Sequence, residues 1–364
     1  MDFGIAFPSY IDAWKDCELA EASGFSHGWF YDTQLLCSDV YATMALAAEH
    51  TATMKLGTLV AIPSNRIAPV TASAVATLNA LAPGRIILGL GTGFTGRNTM
   101  GMPALPVAAM SRYVEQVRGL LAGEDVLLKD GKYERWIRLL TTDRAHGCIN
   151  IDDHIPIHIA ANGPKAMAAT GKVGEGWITV AQDAAGLERG REAVMASAND
   201  AGRTFDGPGG KPYTTYLTTG CILEDGEAVT SKRVLDRVGA VVVVAAHAAW
   251  ETAHDGAGLG VDDPDSAQSY GDYIEAHAAR RNSPSDRRYL DVHEGHMMYL
   301  KKGEEQFVPE WMVSLTTLTG HGDEVLERVR ELRDAGVDNL ALQAVPGRAR
   351  ELIEEFSKNV ITKL

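Results

Sequence analysis

The stretch from Ile155 to Ala168 has residue types that suit the binding of an anion. A short apolar run ends at two alanines, turns through Asn162-Gly163 and continues into Pro164. Proline fits the first turn of a helix, and small residues let a ligand approach the backbone closely. Because a helix N-terminus presents free N–H groups and the positive end of the helix dipole, the pattern predicts a phosphate site. An ordinary turn between a strand and a helix, without a ligand, is the alternative.

A second stretch, residues 289–299, concentrates groups that can exchange protons. It places Asp291, His293, Glu294 and His296 within six residues, and histidine commonly acts as a proton donor or acceptor near neutral pH. The same residue types bind metals, but the spacing is not the H-E-x-x-H of zinc peptidases, so we predict no metal site. We therefore expect His293 or His296 to be catalytic. Two exposed histidines in a polar insertion are the alternative.

The composition is that of an ordinary globular protein and argues against several kinds of partner. Hydrophobic residues make up 45% of the 364 residues, and a formal net charge of −14 argues against a nucleic-acid partner. The four cysteines lie far apart and form no C-x-x-C pair, which favours reduced thiols in a cytoplasmic protein. We find no signal-peptide pattern and no apolar run of membrane-spanning length, so we expect no membrane partner.

Strand and helix patterns alternate along the chain, and eight strand–helix pairs can be counted. Eight such units favour an α/β fold, a (β/α)8 TIM barrel with insertions, over an open sheet. Insertions fall at about residues 95–110, 124–154 and 255–320, and the last is the largest. We expect residues 1–364 to form a single barrel domain, with the late insertion as a lid over the strand ends. The predicted strands are residues 3–7, 25–31, 55–62, 85–90, 155–160, 176–180, 213–223 and 338–344, with a long helix over 227–254.

In such a barrel the functional face lies where the strands end. The predicted ends, including Ala181-Gln182, carry mostly small or aromatic residues, which suits a flat aromatic ligand better than a sugar or a metal. Asp32 is a charged exception that can either orient a ligand or cap the next turn. The candidate ligand-binding residues at these ends are Phe7, Tyr31, Ala61, Ile62, Gly91, Gly93, Ala160, Ala161, Asn162, Gly163, Pro164 and Val180.

Residues 91–96 form a literal G-x-G-x-x-G after the fourth predicted strand. This is the fingerprint of dinucleotide-binding Rossmann folds, in which the motif follows the first strand and its last glycine opens a helix. Here Gly101, Pro103 and Pro106 disfavour a regular helix over residues 97–110. We therefore interpret the glycines as a loop that a ligand can approach closely.

Five segments occur in an order and spacing typical of one enzyme family: Asp39-Val40-Tyr41-Ala42-Thr43, Leu56-Gly57-Thr58, Pro83-Gly84-Arg85-Ile86-Ile87-Leu88-Gly89-Leu90-Gly91, Ala160-Ala161-Asn162-Gly163-Pro164-Lys165 and Ala335-Gly336-Val337. On these residues the first half and the end of the chain resemble the bacterial luciferase-like flavin-dependent oxidoreductases, in particular the methylenetetrahydromethanopterin reductase branch. The resemblance implies a (β/α)8 barrel with an extra region late in the chain. It also implies a flavin or deazaflavin across the strand ends, its phosphate held by the backbone of residues 161–164, and a homodimer or higher homo-oligomer.

The chain departs from this family after the second strand. Deazaflavin-using relatives often have a histidine after the aspartate there, whereas this chain has Thr33 and Gln34. The departure disfavours a deazaflavin and leaves His293 or His296 to supply the proton chemistry. The first hypothesis is therefore a monooxygenase that acts on a small organic substrate with oxygen and reduced FMN, the latter supplied by a separate flavin reductase.

Two alternatives stay open. One is a dehydrogenase or reductase that transfers a hydride with the deazaflavin coenzyme F420 and uses no oxygen. The other is a non-catalytic flavin-binding protein. The late insertion, which is rich in His, Asp and Arg, disfavours this last alternative because it can build a lid over a substrate.

Overall fold

The computed structural model describes residues 1–180, 183–255 and 263–364. Two sequence predictions fall wholly or partly outside the described residues, namely the strand end at Ala181-Gln182 and residues 256–262 of the late insertion. The strands of the described part are β1 (Asp2–Phe7), β2 (His27–Phe30), β3 (Lys55–Thr58), β4 (Ile86–Leu90), β5 (Val126–Asp130), β6 (Tyr133–Ile137), β7 (Ile157–Ala160), β8 (Gly176–Val180), β9 (Tyr213–Thr218), β10 (Gly220–Ile222), β11 (Leu318–Gly320) and β12 (Asn339–Gln343).

The helices of the described part are α1 (Ala13–Ala22), α2 (Val40–His50), α3 (Ala68–Leu81), α4 (Phe94–Asn98), α5 (Val107–Leu121), α6 (Pro164–Val173), α7 (Ala184–Asp200), α8 (Lys232–Val234), α9 (Ala240–Val242), α10 (Val244–Asp255), α11 (Pro264–Arg281), α12 (Arg288–His293), α13 (Glu310–Thr316), α14 (Gly322–Asp334) and α15 (Ala349–Asn359). A π-helical turn, Leu235–Gly239, joins α8 to α9. Among these described helices, none is long and apolar enough to cross a membrane.

Eight of the strands close into a parallel barrel in the order β1-β12-β9-β8-β7-β4-β3-β2, which confirms the predicted (β/α)8 fold. Ile5 of β1, for example, pairs with Gly28 of β2 on one side and with Leu342 of β12 on the other. The largest hydrophobic cluster joins the outer faces of the strands to the surrounding helices. Because all eight strands run in the same direction, their carboxyl ends meet at one end of the barrel, here called the rim.

One side chain, Trp29, fills the middle of the barrel interior. Its indole is fully buried, and its Nε1–H donates to Asn339 Oδ1 over 3.0 Å. Two glycines make room for it, since a Cβ at Gly4 would lie 2.6 Å from the ring and a Cβ at Gly57 would lie 2.4 Å from it. Any larger residue at either glycine would displace the indole, so these positions and Trp29 depend on each other.

The insertion at about residues 124–154 contains the hairpin β5–β6. Two predicted elements differ in detail from the structure. The strand predicted over 213–223 is divided, because β10 leaves the barrel and pairs with β11 instead. The helix predicted over 227–254 starts later, at Lys232, because the side chain of Ser231 caps it by accepting from the Val234 N–H.

Between β10 and β11 the chain forms α8 to α13, so the late insertion starts earlier than the predicted bound at about residue 255. It has a hydrophobic cluster of its own, which includes Val238, Trp250 and Tyr270. The insertion also contacts the barrel, because Met297 packs against the cluster inside the barrel that contains Tyr31. This contact lies at the rim, where the sequence places a lid. That the insertion and the barrel form one domain stays a prediction.

Replacing Trp29 with alanine should destabilise the barrel by roughly 3–5 kcal/mol, because loss of the indole would leave a cavity between Gly4 and Gly57. The matched control is Trp136→Ala, since Trp136 lies on β6 with 70% of its surface exposed. We expect the control to change the free energy of unfolding by less than about 1 kcal/mol. Urea unfolding measures both changes, and equal effects would contradict the role given to Trp29.

Candidate active site

A cavity of about 180 Å³, here called the mouth cavity, lies at the rim beside the ends of β2, β3 and β4. Four of the sequence-predicted residues line it, namely Tyr31, Asp32, Ile62 and Gly93. The wall is mostly apolar, which suits a flat ring. The complete lining is Tyr31, Asp32, Thr33, Leu59, Val60, Ile62, Gly93, Phe94, Thr95, Gly96, Leu217 and Met297.

The hydroxyl group of Tyr31 is an unpaired donor in this lining. The oxygen is buried, and no described residue forms a hydrogen bond with it. Burial raises the pKa of Tyr31 well above its ordinary value, so the hydroxyl keeps its proton. Leaving a buried donor unpaired costs about 1–3 kcal/mol, which a ligand with an acceptor at this position would offset.

Asp32 is held by the loop that follows β3. Its Oδ2 accepts from the Ile62 backbone N–H at 3.2 Å and from Asn65 Nδ2 at 3.1 Å. Burial raises the pKa of this carboxyl, although the two hydrogen bonds oppose the shift. Asp32 therefore fixes the next turn, as one of the two sequence interpretations stated, and it also lines the mouth cavity.

The predicted phosphate site lies at the start of α6, which begins at Pro164 as expected. The Asn162 side chain turns back to β8, where its Oδ1 accepts from Thr179 Oγ1 at 2.8 Å and from the Val180 N–H at 3.2 Å. Gly163 has an extended backbone with φ −102°, and a Cβ there would meet no atom of the described residues within 4 Å. The loop before α6 is thus tied to the barrel through Asn162.

Three further predicted residues lie around the rim without adding polar side chains. Gly91 lies against Val60, because a Cβ at Gly91 would be 2.6 Å from that side chain. Ala160 packs with the cluster inside the barrel. The carbonyl of Ala161 accepts from Trp177 Nε1 at 2.7 Å. Their small size leaves the rim open beside the start of α6.

Two predicted residues, Phe7 and Ala61, pack between the barrel and the helices, away from the mouth cavity. Phe7 is fully buried and packs against Phe30, with ring centroids 5.7 Å apart. Ala61 belongs to the same outer cluster, between the barrel and the helices. Successive side chains of a strand point to opposite faces. The sequence can therefore locate the end of a strand without determining which face a given residue occupies.

The structure corrects the alternative that His293 and His296 are exposed, because only 3% and 1% of their surfaces are accessible. His293 Nδ1 donates to the Tyr289 carbonyl at 2.6 Å, and its Nε2 lies 2.6 Å from Glu251 Oε1. These groups line a separate cavity beside residues 98–103. In the part of the chain that the structure describes, no group of three or more His, Cys, Asp or Glu side chains is arranged to hold a metal ion.

His296, in contrast, lies next to the lining of the mouth cavity. Its Nε2 lies 3.4 Å from Thr95 Oγ1, and its Nδ1 lies 2.8 Å from Nδ1 of His247 on α10. His247 Nε2 in turn lies 3.0 Å from Glu304 Oε1. Sequence reasoning missed His247 because it stands 49 residues away from its partner, within an apolar helical pattern that points to the core.

Glu304 is the most heavily hydrogen-bonded of these groups. Besides His247, it accepts from Tyr270 OH at 2.6 Å and from the backbone N–H and ammonium of Lys301, both at 2.7 Å. Burial alone would raise its pKa, but the hydrogen bond from His247 and the charge of Lys301 lower it to about 2. Burial lowers the pKa of His247 to about 4 and that of His296 well below its ordinary value. At neutral pH both rings are therefore uncharged and Glu304 is ionised.

A family model described as luciferase-like monooxygenase matches residues 12–339. The chain belongs to this family. A relative named 5,10-methylenetetrahydromethanopterin reductase, from Methanolobus tindarius, is 32% identical over 248 residues, which cover 67% of this chain and 72% of the relative. The resemblance drawn from the sequence is thereby confirmed, including its branch.

Two further relatives of this luciferase-like protein bear on its class. A protein named F420-dependent glucose-6-phosphate dehydrogenase, from Beutenbergia cavernae, is 36% identical over 141 residues, which cover 37% of this chain and 40% of the relative. The solved structure of a coenzyme F420-dependent tetrahydromethanopterin reductase from Methanopyrus kandleri has a TM-score of 0.70 at 21% identity and covers 100% of this chain and 99% of the other, which shows the shared fold. The protein is an oxidoreductase, which confirms the predicted enzyme class.

Buried histidines also occupy the end of the barrel opposite the rim. His27 and His158 line a cavity of about 530 Å³, here called the base cavity, together with Lys55 and Tyr213. Burial lowers the pKa of His27 to about 4 and that of His158 to about 3. Among the described residues, His27 Nε2 and His158 Nδ1 have no hydrogen-bond partner. Together with His247 and His296, His27 and His158 make four buried histidines that stay neutral in the folded state.

Acidification should therefore destabilise the protein. In the unfolded chain these four histidines bind protons near pH 6.5, whereas in the folded protein they bind them only at lower pH. The unfolded state gains protons first as the pH falls, so stability is complete above about pH 6.5 and decreases below it. By about pH 5, each of the four histidines should lower the free energy of unfolding by about 2 kcal/mol.

Urea unfolding at about pH 7 and about pH 5 measures this loss. His158→Asn should reduce the loss by about 2 kcal/mol, because one of the four groups is removed. The control His146→Asn changes an exposed histidine and should leave the loss as it is in the unsubstituted protein. Equal free energies of unfolding at the two pH values would show that the buried histidines are not neutral.

Proposed function

We propose that this protein transfers a hydride between the deazaflavin coenzyme F420 and a small organic substrate in the mouth cavity. The proposal rests on the relatives of this protein, which include proteins named as an F420-dependent dehydrogenase and a coenzyme F420-dependent reductase. A further relative, similar over two thirds of this chain, is a reductase of the branch that the sequence resembles. These relatives favour the deazaflavin alternative over the FMN monooxygenase that the sequence placed first.

The residues at the rim fit a ring cofactor with a phosphate. Tyr31 offers a buried hydroxyl that has no partner among the described residues, and α6 offers a helix N-terminus where no described atom lies within 4 Å of a Cβ at Gly163. Coenzyme F420 bound there would supply a ring carbon that accepts or gives up a hydride. The loop before α6 would hold the phosphate through its backbone N–H groups. Leu59 and Ile62 would provide apolar walls, and Met297 of the insertion would help to exclude water.

A hydride mechanism removes two requirements of the FMN hypothesis, namely oxygen and a separate flavin reductase. The threonine at position 33 had argued against a deazaflavin, because no histidine follows Asp32. His296 changes that argument, since it lies directly behind Thr95 in the lining of the mouth cavity. The proton chemistry can therefore come from the late insertion rather than from the second strand.

Several expectations from the sequence accompany this proposal. From the family resemblance we propose a homo-oligomer, and from the four separated cysteines we propose a cytoplasmic protein. From the contact of Met297 with the barrel interior we propose a single domain, with the insertion at about residues 255–320 as the lid. Among the catalytic candidates we retain His296, with Asp32 as a residue that orients the ligand. His293 faces the separate cavity, and we assign it to support of the lid.

Titration of the purified protein with F420, FMN and reduced FMN should show tightest binding of F420. Gly163→Val should weaken F420 binding at least about 10-fold, roughly 1.4 kcal/mol, because its side chain would occupy the space in front of α6. The backbone there is extended, and a Cβ would meet no atom within 4 Å in the part of the chain that the structure describes. The variant should therefore unfold at the same urea concentration as the unsubstituted protein, which serves as the control for folding.

Two results would contradict the proposal. Tighter binding of FMN than of F420 would overturn the cofactor assignment. An unchanged F420 affinity in the folded Gly163→Val variant would place the phosphate away from α6.

A further inference from the structure

Four polar side chains form a continuous chain from the interior of the insertion to the mouth cavity. Glu304 Oε1 lies 3.0 Å from His247 Nε2, and His247 Nδ1 lies 2.8 Å from His296 Nδ1. His296 Nε2 lies 3.4 Å from Thr95 Oγ1, and Thr95 lines the cavity. Glu304, His247 and His296 are all buried. The chain therefore connects the substrate space to a carboxylate that solvent does not reach.

The hydrogen bonds of this chain have one direction while both rings are neutral. Glu304 is ionised and accepts from Lys301 as well, so the Nε2 of His247 must carry a hydrogen. A neutral His247 then has a bare Nδ1, which accepts from the Nδ1–H of His296. A neutral His296 has a bare Nε2, which accepts from the hydroxyl of Thr95. Burial keeps both rings neutral because it disfavours their charged forms.

Thr95 therefore presents an acceptor to the mouth cavity. Its hydroxyl hydrogen is directed to His296, so only the lone pairs of Oγ1 remain for a substrate, and the complementary substrate group is O–H or N–H. Hydride loss from an amine leaves an iminium ion and releases no proton in that step. Hydride loss from an alcohol must be accompanied by loss of the O–H proton. An alcohol is the substrate that needs both an acceptor and a place for a proton.

We propose that Thr95, His296, His247 and Glu304 form a proton relay, and that the substrate in the mouth cavity is an alcohol, or the corresponding carbonyl compound in the reverse direction. This inference rests on the hydride transfer to F420 proposed above and deepens it. Thr95 contacts the substrate. His296, His247 and Glu304 act through Thr95 and position its hydroxyl.

The step balances as follows in the direction of oxidation. The C–H bond of the carbinol would break, and a deazaflavin bound in the mouth cavity would accept the hydrogen together with the electron pair of that bond. The O–H bond breaks, a C=O bond forms, and the proton passes to Thr95 Oγ1. Thr95 passes its own hydrogen to His296 Nε2, and His296 passes its Nδ1 hydrogen to His247 Nδ1. The positive charge then resides on His247, 3.0 Å from the Glu304 carboxylate.

The tautomers of the two histidines can be measured without cofactor or activity. In protein with isotopically labelled histidine, long-range proton–nitrogen NMR spectra at about pH 7 should show His247 with its hydrogen on Nε2 and His296 with its hydrogen on Nδ1. The control Thr99→Val removes a nearby hydroxyl that donates only to the Gly96 carbonyl, and it should change neither tautomer. A hydrogen on Nε2 of neutral His296 would overturn the relay.

Kinetics of Thr95 variants test the relay during turnover. Thr95→Val removes the hydroxyl at nearly constant volume and should lower kcat for alcohol oxidation about 100-fold when F420 is saturating. Thr95→Ser restores the hydroxyl and should recover most of the lost rate. A Thr95→Val variant that binds F420 and oxidises the alcohol at the unsubstituted rate would overturn the relay.

Isopropanol and cyclohexanol serve as probes of the substrate class, with isopropylamine and cyclohexylamine as their matched amines. With F420 bound, oxidation of an alcohol supports the assignment, whereas oxidation of the amines alone, or of none of the four, overturns it. Failure of the unsubstituted protein to bind F420 would instead contradict the proposed function. The NMR measurement of the histidine tautomers would still test the relay in that case, because it uses the cofactor-free protein.

Discussion

Glu304 imposes the constraint on which the late insertion depends. A carboxylate buried this deeply is tolerated only when donors surround it, because an unpaired buried charge is strongly destabilising. His247 of α10, Tyr270 of α11 and Lys301 supply these donors from three separate segments. Satisfying one carboxylate therefore fixes these segments relative to one another. It also fixes the ring of His296, which is the next member of the chain after His247.

The barrel provides the complementary half of the site. Trp29 fills the interior below the rim, because Gly4 and Gly57 leave room for its indole. Above it, Met297 of the insertion packs on the same interior cluster as Tyr31. The mouth cavity is thus bounded below by the barrel and above by the insertion. Such enclosure limits access of water, and hydride transfer and proton movement through buried groups both benefit from that exclusion.

The parts of the structure that could be predicted are those specified by local patterns. The alternation of strands and helices indicated the barrel, and Asn162-Gly163 before Pro164 located the start of α6. Contacts between distant segments could not be predicted in this way, because only folding brings His247 within 3.0 Å of Glu304. The polar neighbours of His296 in the sequence left open whether it is a catalytic or an exposed residue. It is buried because its partner comes from α10.

A crystal structure with F420 bound tests most directly whether the mouth cavity is the functional site. We expect the cofactor phosphate against the backbone N–H groups of residues 162–164 and the deazaflavin ring in the mouth cavity, beside Tyr31 and Thr95. Binding in the base cavity, beside His27 and His158, would contradict this assignment. A cofactor that lies at the rim but leaves the start of α6 empty would contradict it as well.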